Sequence, residues 1–401
     1  MFQPSPWRAD FPAIAALQRQ HQTYLDSAAT TQKPQALIDA LSHYYGHGAA
    51  NVHRAQHLPG ALATQAFEAT RDKLARWLNA ADAQQIVFTH GATSALNLLA
   101  YGLEPHFEAG DEIAISALEH HANLLPWQQL AQRRGLRLVV LPLNEHGCID
   151  LDHALQLIGP RTRLVALSQL SNVLGTWQPL AALLSHARAQ GALSVVDGAQ
   201  GIVHGRHDMQ QLGCDFYVFS SHKLYGPDGV GVLYGRVQAQ ALLRHWQYGG
   251  EMVQLADYQS ASFRPAPLGF EAGTPPIASI IALGATLDYL ASLDANAVAN
   301  HEASLHQHLL RGLADRDGIR VLASPQAALA SFVVDGVHNA DIAHLLTEQG
   351  IAVRAGHHCA MPLLKGMQLE GAIRVSLGLY NDSDDLQRFF DALDQGLELL
   401  R

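Results

Sequence analysis

Ser220-Ser221-His222-Lys223-Leu224-Tyr225-Gly226-Pro227 is the stretch on which the fold turns. It follows an apolar run at residues 215–219 and leads to Gly229 and Gly231. The lysine therefore stands at the carboxyl end of a strand, among small residues that carry hydrogen-bond donors. Working outward, the same texture recurs. Short apolar runs at residues 86–89, 112–116, 136–141, 163–167, 193–197, 215–220 and 230–234 have strand length. Most are rich in β-branched or aromatic residues. Helical patterns at 61–79, 124–134 and 180–190 lie between several of them. This alternation predicts an α/β layer fold around a mainly parallel, seven-stranded sheet. In such sheets ligands sit beyond the carboxyl ends of the strands. Each motif can then be asked whether it follows a strand.

After residue 270 the texture changes. Residues 275–294 read as one long apolar-periodic helix. A helix at 300–314, a strand at 330–335, a helix at 339–350 and a strand at 351–355 follow. A strand at 372–376 precedes a closing helix at 383–399. The pattern predicts a large domain over 22–293 and a smaller α+β domain over 294–401, with residues 1–21 packing on the smaller one. A chain of 401 residues, 48% of them hydrophobic, is long enough for both cores.

Composition excludes several classes. Acidic residues number 36 against 26 basic ones, a net charge of -10, and no basic cluster appears. Nucleic acid is not an expected partner. Cys148, Cys214 and Cys359 lie far apart and form no Cys-x-x-Cys pair, which argues against a disulfide framework and against a metal site. So low a count fits a reducing compartment. The first twenty residues lack the apolar core of a signal peptide. No charge-free apolar stretch reaches the length of a membrane span.

The polar motifs fall at strand ends. An amine at Lys223 can condense with an aldehyde, and Ser220 and His222 can bind an adjacent phosphate; the bland alternative is a solvated loop lysine. Asp197 closes the run 193–197, with Gly198-Ala199-Gln200 after it. A carboxylate there can pair with a protonated pyridine nitrogen and keep that ring an electron sink. A helix N-cap is the common alternative. Gln200 is placed to contact a phenolic oxygen. Gly91-Ala92-Thr93-Ser94 follows the run 86–89, where free amides and a helix dipole attract anions. Glu119-His120-His121-Ala122-Asn123 follows 112–116, and an imidazole there can stack on an aromatic ring and move protons. A structural histidine is the alternative. Asn172, in Ser171-Asn172-Val173, is a hydrogen bonder whose reading rests on its company. Cys359 lies in Arg354-Ala355-Gly356-His357-His358-Cys359-Ala360, beside groups that favour a thiolate. An inert cysteine is the alternative. Arg374 can grip a carboxylate with two hydrogen bonds.

Taken together, these motifs resemble those of the cysteine desulfurases of class-V aminotransferase ancestry, in the SufS/CsdA class. The resemblance runs end to end. It includes Leu25-Asp26-Ser27-Ala28-Ala29-Thr30, Asn51-Val52-His53-Arg54 and Glu271-Ala272-Gly273-Thr274-Pro275, besides the motifs already quoted. It implies the fold-type-I architecture of pyridoxal-phosphate transferases, with the cofactor carried on Lys223. It implies that His120 stacks on the ring, Asp197 pairs with its nitrogen and Gln200 contacts its phenolic oxygen. Thr93, Ser220 and His222 would hold the phosphate, and Thr274 would reach that of a partner subunit, which implies a homodimer. Asn172 and Arg374 would orient the substrate, with His53 and Arg354 nearby, and Cys359 would be the nucleophile.

The activity implied is conversion of L-cysteine to L-alanine, with sulfur left on Cys359 and passed to an acceptor of the SufE/CsdE type. Selenocysteine and cysteine sulfinate are further candidate substrates, and a cytoplasmic location is implied. Two positions depart from the family pattern. Ala92 stands where relatives often have threonine, and Tyr248-Gly249-Gly250-Glu251-Met252 stands where many have three glycines. The rival readings are another class-V enzyme, such as an aminotransferase or kynureninase-like lyase, and a partner-gated sulfur carrier.

Overall fold

Seven strands share one feature that positions everything else. They are Ile86–Thr89 (β1), Glu112–Ser116 (β2), Arg137–Leu141 (β3), Thr162–Ser168 (β4), Leu193–Asp197 (β5), Phe216–Ser220 (β6) and Gly231–Gly235 (β7). All but β3 are buried along nearly their whole length. Continuous burial is what strands covered on both faces require. In this computed structural model, which describes residues 4–54 and 56–400, they form one sheet in the order β1-β7-β6-β5-β4-β2-β3. Every neighbouring pair is parallel except the two made by β7. The exposed strand, β3, is one edge; the other edge, β1, is buried.

Alternate residues of each strand feed two cores. On one face Ile86, Phe88, Val165 and Leu167 meet helices Leu58–Trp77 (α1), Leu180–Ala189 (α4) and Ile277–Ser292 (α5). On the other, Val87, Leu164 and Ala166 meet Ala92–Leu103 (α2) and Leu125–Arg134 (α3). Register aligns the carboxyl ends: Ser168 lies opposite Asp197, and Asp197 opposite Val218. Polar side chains thus collect along one rim of an apolar sheet.

The second sheet is antiparallel. It runs Ile319–Val321 (β8), Leu329–Val334 (β9), Ala372–Ser376 (β11), Arg354–Gly356 (β10), in that spatial order. Ala295–Ala314 (α6), Asn339–Glu348 (α7) and Ser383–Leu400 (α9) cover it through Leu309, Ile342 and Phe389. The short helix Met361–Gly366 (α8) lies between β10 and β11. Arg354 and Arg374 are cross-strand partners, so two guanidinium groups arise side by side.

Several elements differ from the sequence expectation. The helix expected from 300 begins at Ala295, because Asp294 accepts the amides of Asn296 and Ala297. The strand expected over 351–355 is two: Ile351–Ala352 pairs in parallel with Thr23–Tyr24, and β10 joins the small sheet. The N-terminal segment lies at the seam between the two cores. Arg8 pairs with Asp385, while Phe11 packs on Tyr225, Tyr289 and Tyr380. No single helix among the described residues is long and apolar enough to cross a membrane. The helices α5 and α6 are apolar in sequence but meet at an 87° bend.

Candidate active site

Beyond the ends of β4, β5 and β6 lies a cavity of about 200 Å3. Lys223 borders it from the turn Ser221–Lys223 that follows β6. Burial pushes its amine down to about 8, the charges of Arg374 and Arg354 push the same way, and Asp197 opposes them. Among the described residues Nζ makes no hydrogen bond. An unpaired, partly neutral amine in a cavity is a nucleophile without a structural task.

The floor is Asp197. Burial pushes its carboxyl up, while the Ala199 amide, 2.9 Å from Oδ1, and Lys223 oppose that shift. The carboxylate thus accepts one amide of the loop after β5 and faces the Lys223 charge, and it caps no helix. His120 accepts the Ala122 amide at Nδ1 over 3.0 Å, which leaves the ring hydrogen on Nε2. Burial, then the nearby Lys223 charge, lowers it to about 3, so the ring is neutral.

One end of the cavity suits an anion. The helix α2 starts there after Gly91, whose φ of 122° is a glycine conformation and which has no side chain to cap the helix. Thr93, Ser220 and His222 line this end. The Ala92 amide donates to Ser220 Oγ over 2.8 Å, leaving the serine hydroxyl hydrogen free to turn toward the cavity. Burial, then Lys223 and Lys33, lowers His222 to about 4.

The opposite end is cationic. Arg374 Nη2 donates to Asp26 Oδ1 over 2.9 Å, and Nη1 to the Asn172 carbonyl over 3.0 Å. Its Nε is buried and has no partner among the described residues, an unmet donor of the kind a carboxylate satisfies. Arg354 lines the same end, and its Nη2 lies 3.9 Å from Cys359 Sγ.

Ten sequence candidates border this one cavity: Lys223, His120, Thr93, Asn172, Asp197, Gln200, Ser220, His222, Arg354 and Arg374. Three do not. Cys359 is half-buried at the cavity's arginine edge, not in its lining. Thr274 faces a separate cavity with His90, Ser94 and Trp246. His53 turns away toward Glu68, 2.8 Å from Nε2, and packs edge-on against Phe67. Of the groups expected around the thiol, the His358 ring is directed elsewhere, to the Ala372 carbonyl at 2.9 Å. Gln200 donates to the Ala28 carbonyl over 2.8 Å. Residues that sequence reasoning left without a role also matter here. Asp26 holds Arg374, and Ala28, Ala29 and Ser168 line the cavity. Glu119, which is buried, accepts from Ser168 Oγ at 2.5 Å and Asn123 Nδ2 at 2.7 Å, and also from Ser116.

The residues fit pyridoxal phosphate. They provide a free buried amine for its aldehyde, a buried carboxylate for its ring nitrogen, a neutral imidazole beside the ring, and donors at a helix start for its phosphate. Residues 23–389 match the model of the class-V aminotransferases. The chain belongs to that family, and its cofactor is pyridoxal phosphate. It is 88% identical, over the whole of both chains, to a "probable cysteine desulfurase" of Pseudomonas putida. The crystal structure of cysteine desulfurase CsdA from Escherichia coli, in its S-sulfonic acid form, superposes with a TM-score of 0.93 at 42% identity, covering all of both chains. C-DES, solved as a mutant with glycine covalently linked to its PLP cofactor, superposes at 0.84 with 25% identity, over 97% of this chain and 99% of its own.

Proposed function

We infer that the chain is a cysteine desulfurase, converting L-cysteine to L-alanine and leaving the sulfur on Cys359 as a persulfide. One observation carries this reading: a half-buried thiol stands at the arginine edge of the cavity that holds the free amine of Lys223. The pairing is not forced by the other cysteines. Burial first, then Asp215, pushes Cys214 up to about 12, and Cys148 sits on the Trp177 carbonyl.

Each group has a task. Arg374 and Asn172 hold the substrate carboxylate and place its sulfur toward Cys359. Pyridoxal phosphate held by these residues would supply a sink for the electron pair that leaves the α-carbon. The Lys223 amine takes the α-proton of the substrate. His120, neutral with its hydrogen on Nε2, relays a proton within the site. Cys359 attacks sulfur; the carbon–sulfur bond breaks and a sulfur–sulfur bond forms. The substrate's β-carbon keeps the bond pair and takes a proton, and the two sulfurs are oxidised in the same measure. Atoms balance as cysteine plus thiol giving alanine plus persulfide.

Further parts of the proposal concern assembly. Thr274 lies outside the Lys223 cavity of its own chain, which supports a homodimer in which it serves the second copy. An acceptor protein of the SufE/CsdE type takes the persulfide sulfur, in the cytoplasm. Residues 22–293 and 294–401 act as the two domains of each subunit. The test is turnover of L-cysteine by the purified holoprotein and by Cys359→Ala. The parent is expected to form alanine, and the variant to keep the cofactor absorbance and lose turnover. Pyruvate as the product, or unchanged sulfide release by Cys359→Ala, overturns the reading.

A further inference from the structure

The turn that carries Cys359 is unusual in its backbone. Gly356 has φ 118°, and the two residues His358 and Cys359 have φ of 51° and 56°. Two consecutive side-chain-bearing residues in the left-handed region are strained, and such strain persists only where surroundings hold it. Three hydrogen bonds from the large sheet's loops do so. Asn172 Nδ2 donates to the His358 carbonyl over 2.8 Å. The His121 amide donates to the Cys359 carbonyl over 2.7 Å. The Met361 amide, the first of α8, donates to His121 Nε2 over 3.3 Å. Asn172 thus holds the turn just before the thiol, and His121 holds it at two points just after. Beyond it, Ala360, Leu363 and Leu364 pack on Leu118, Val173 and Leu174, which fixes the exit of the turn but not its tip.

We propose that His121 is a positioning residue for sulfur transfer: its ring holds the Cys359 turn against the cavity, and so sets where the thiol meets the substrate sulfur. The role is separate from that of its neighbour. His120 lines the Lys223 cavity, whereas His121 does not. The ring acts as an acceptor, so the function needs a hydrogen-bond acceptor at that place and no charge. The proposal rests on Cys359 being the sulfur acceptor.

The experiment uses the full-length holoprotein with its parent sequence, His121→Ala and His121→Gln. L-Cysteine is added for a single turnover, and persulfide on Cys359 is followed by alkylation and mass spectrometry. The cofactor absorbance and the KM for cysteine are read alongside. Loss of one such bond is expected to slow persulfide formation in His121→Ala by about fivefold to tenfold. Absorbance and KM should stay at parental values. The Oε1 of His121→Gln reaches as far as Nε2 and can accept the Met361 amide, so this variant should recover most of the rate. Persulfide formation at the parental rate in His121→Ala overturns the proposal. So does a loss that His121→Gln does not relieve or that comes with a changed cofactor spectrum. A parent that puts no sulfur on Cys359 overturns the preceding reading as well, which distinguishes the two failures.

Discussion

Lys223 shows what a single residue can reveal and what it conceals. Its place after a strand, among small polar neighbours, is legible in the sequence because period and composition are local. What tunes it is not local. Arg374 and Arg354 come from the second sheet, and the His222 carbonyl next door receives Thr31 Oγ1 at 3.0 Å and Lys33 Nζ at 2.9 Å. Asp26 meets Arg374 across 348 positions of chain. Only folding creates such pairs, so the motif around Asp26 could be quoted while the role of its carboxylate could not. The lowered amine carries a testable consequence. Only the unprotonated amine attacks an aldehyde, so protein stripped of its cofactor should capture pyridoxal phosphate faster as pH rises. The rate should level above about 8, because burial first and the two arginines next hold the amine there. Capture followed by absorbance across the neutral and alkaline range checks this. A profile still climbing toward the ordinary lysine value of 10.5 would show that Lys223 is not desolvated.

Elements were legible where they are buried on both faces. The seven runs of the large sheet announce themselves because continuous apolar stretches survive only between two layers. The short pieces were hidden. The strand β8 is three residues with Arg320 at its centre, too brief for any period. The split at Val353 depends on a partner strand more than three hundred residues earlier. The departure at Tyr248 also resolves at this scale: Tyr248 is exposed, whereas Glu251 turns inward to Arg54 at 3.0 Å. The anion end of the cavity depends on how closely three elements approach. A Cβ on Gly231 would stand 2.4 Å from the Gly91 backbone, so β7 and the turn before α2 touch with no side chain between them. Gly231→Ala must push that turn away from Ser220. The expected result is a stability loss of about 1–3 kcal/mol. Faster cofactor loss should accompany it, read by thermal unfolding and by absorbance after dilution. Gly46→Ala, in a helix and with nothing within 4 Å, is the control, and should leave both unchanged or slightly improved. Equal behaviour of the two variants would remove the close approach as the reason for glycine.

At the scale of the whole molecule, one buried ion pair ties the sheet's first strand to the segment that ends in Thr274. Arg71 on α1 meets Glu271 through Nη1 at 2.6 Å and Nη2 at 2.9 Å, with both side chains almost wholly buried. Arg71 also donates to the Ile86 carbonyl over 2.8 Å and lies over Phe88, 4.6 Å from the ring centre. Glu271 Oε1 in turn accepts the Phe88 amide at 2.8 Å. Nothing in the sequence marks residues 71 and 271 as partners, although Glu271 sits in a motif quoted for the family resemblance. Such a pair adds little net stability over an apolar substitute, yet breaking one side of it is costly because a buried charge is left unpaired. Arg71→Met should therefore lower unfolding stability by about 3–5 kcal/mol. Adding Glu271→Gln removes the stranded charge and keeps an oxygen for the Phe88 amide. The double variant should recover part of the loss, with a coupling of about 1–3 kcal/mol. Denaturant unfolding of the parent, both single variants and the double variant closes the cycle. Because the pair is shielded from solvent, added salt should change the coupling little. Additive single losses, or a coupling that disappears in salt, would mean that the 271–275 segment is held by something other than this pair.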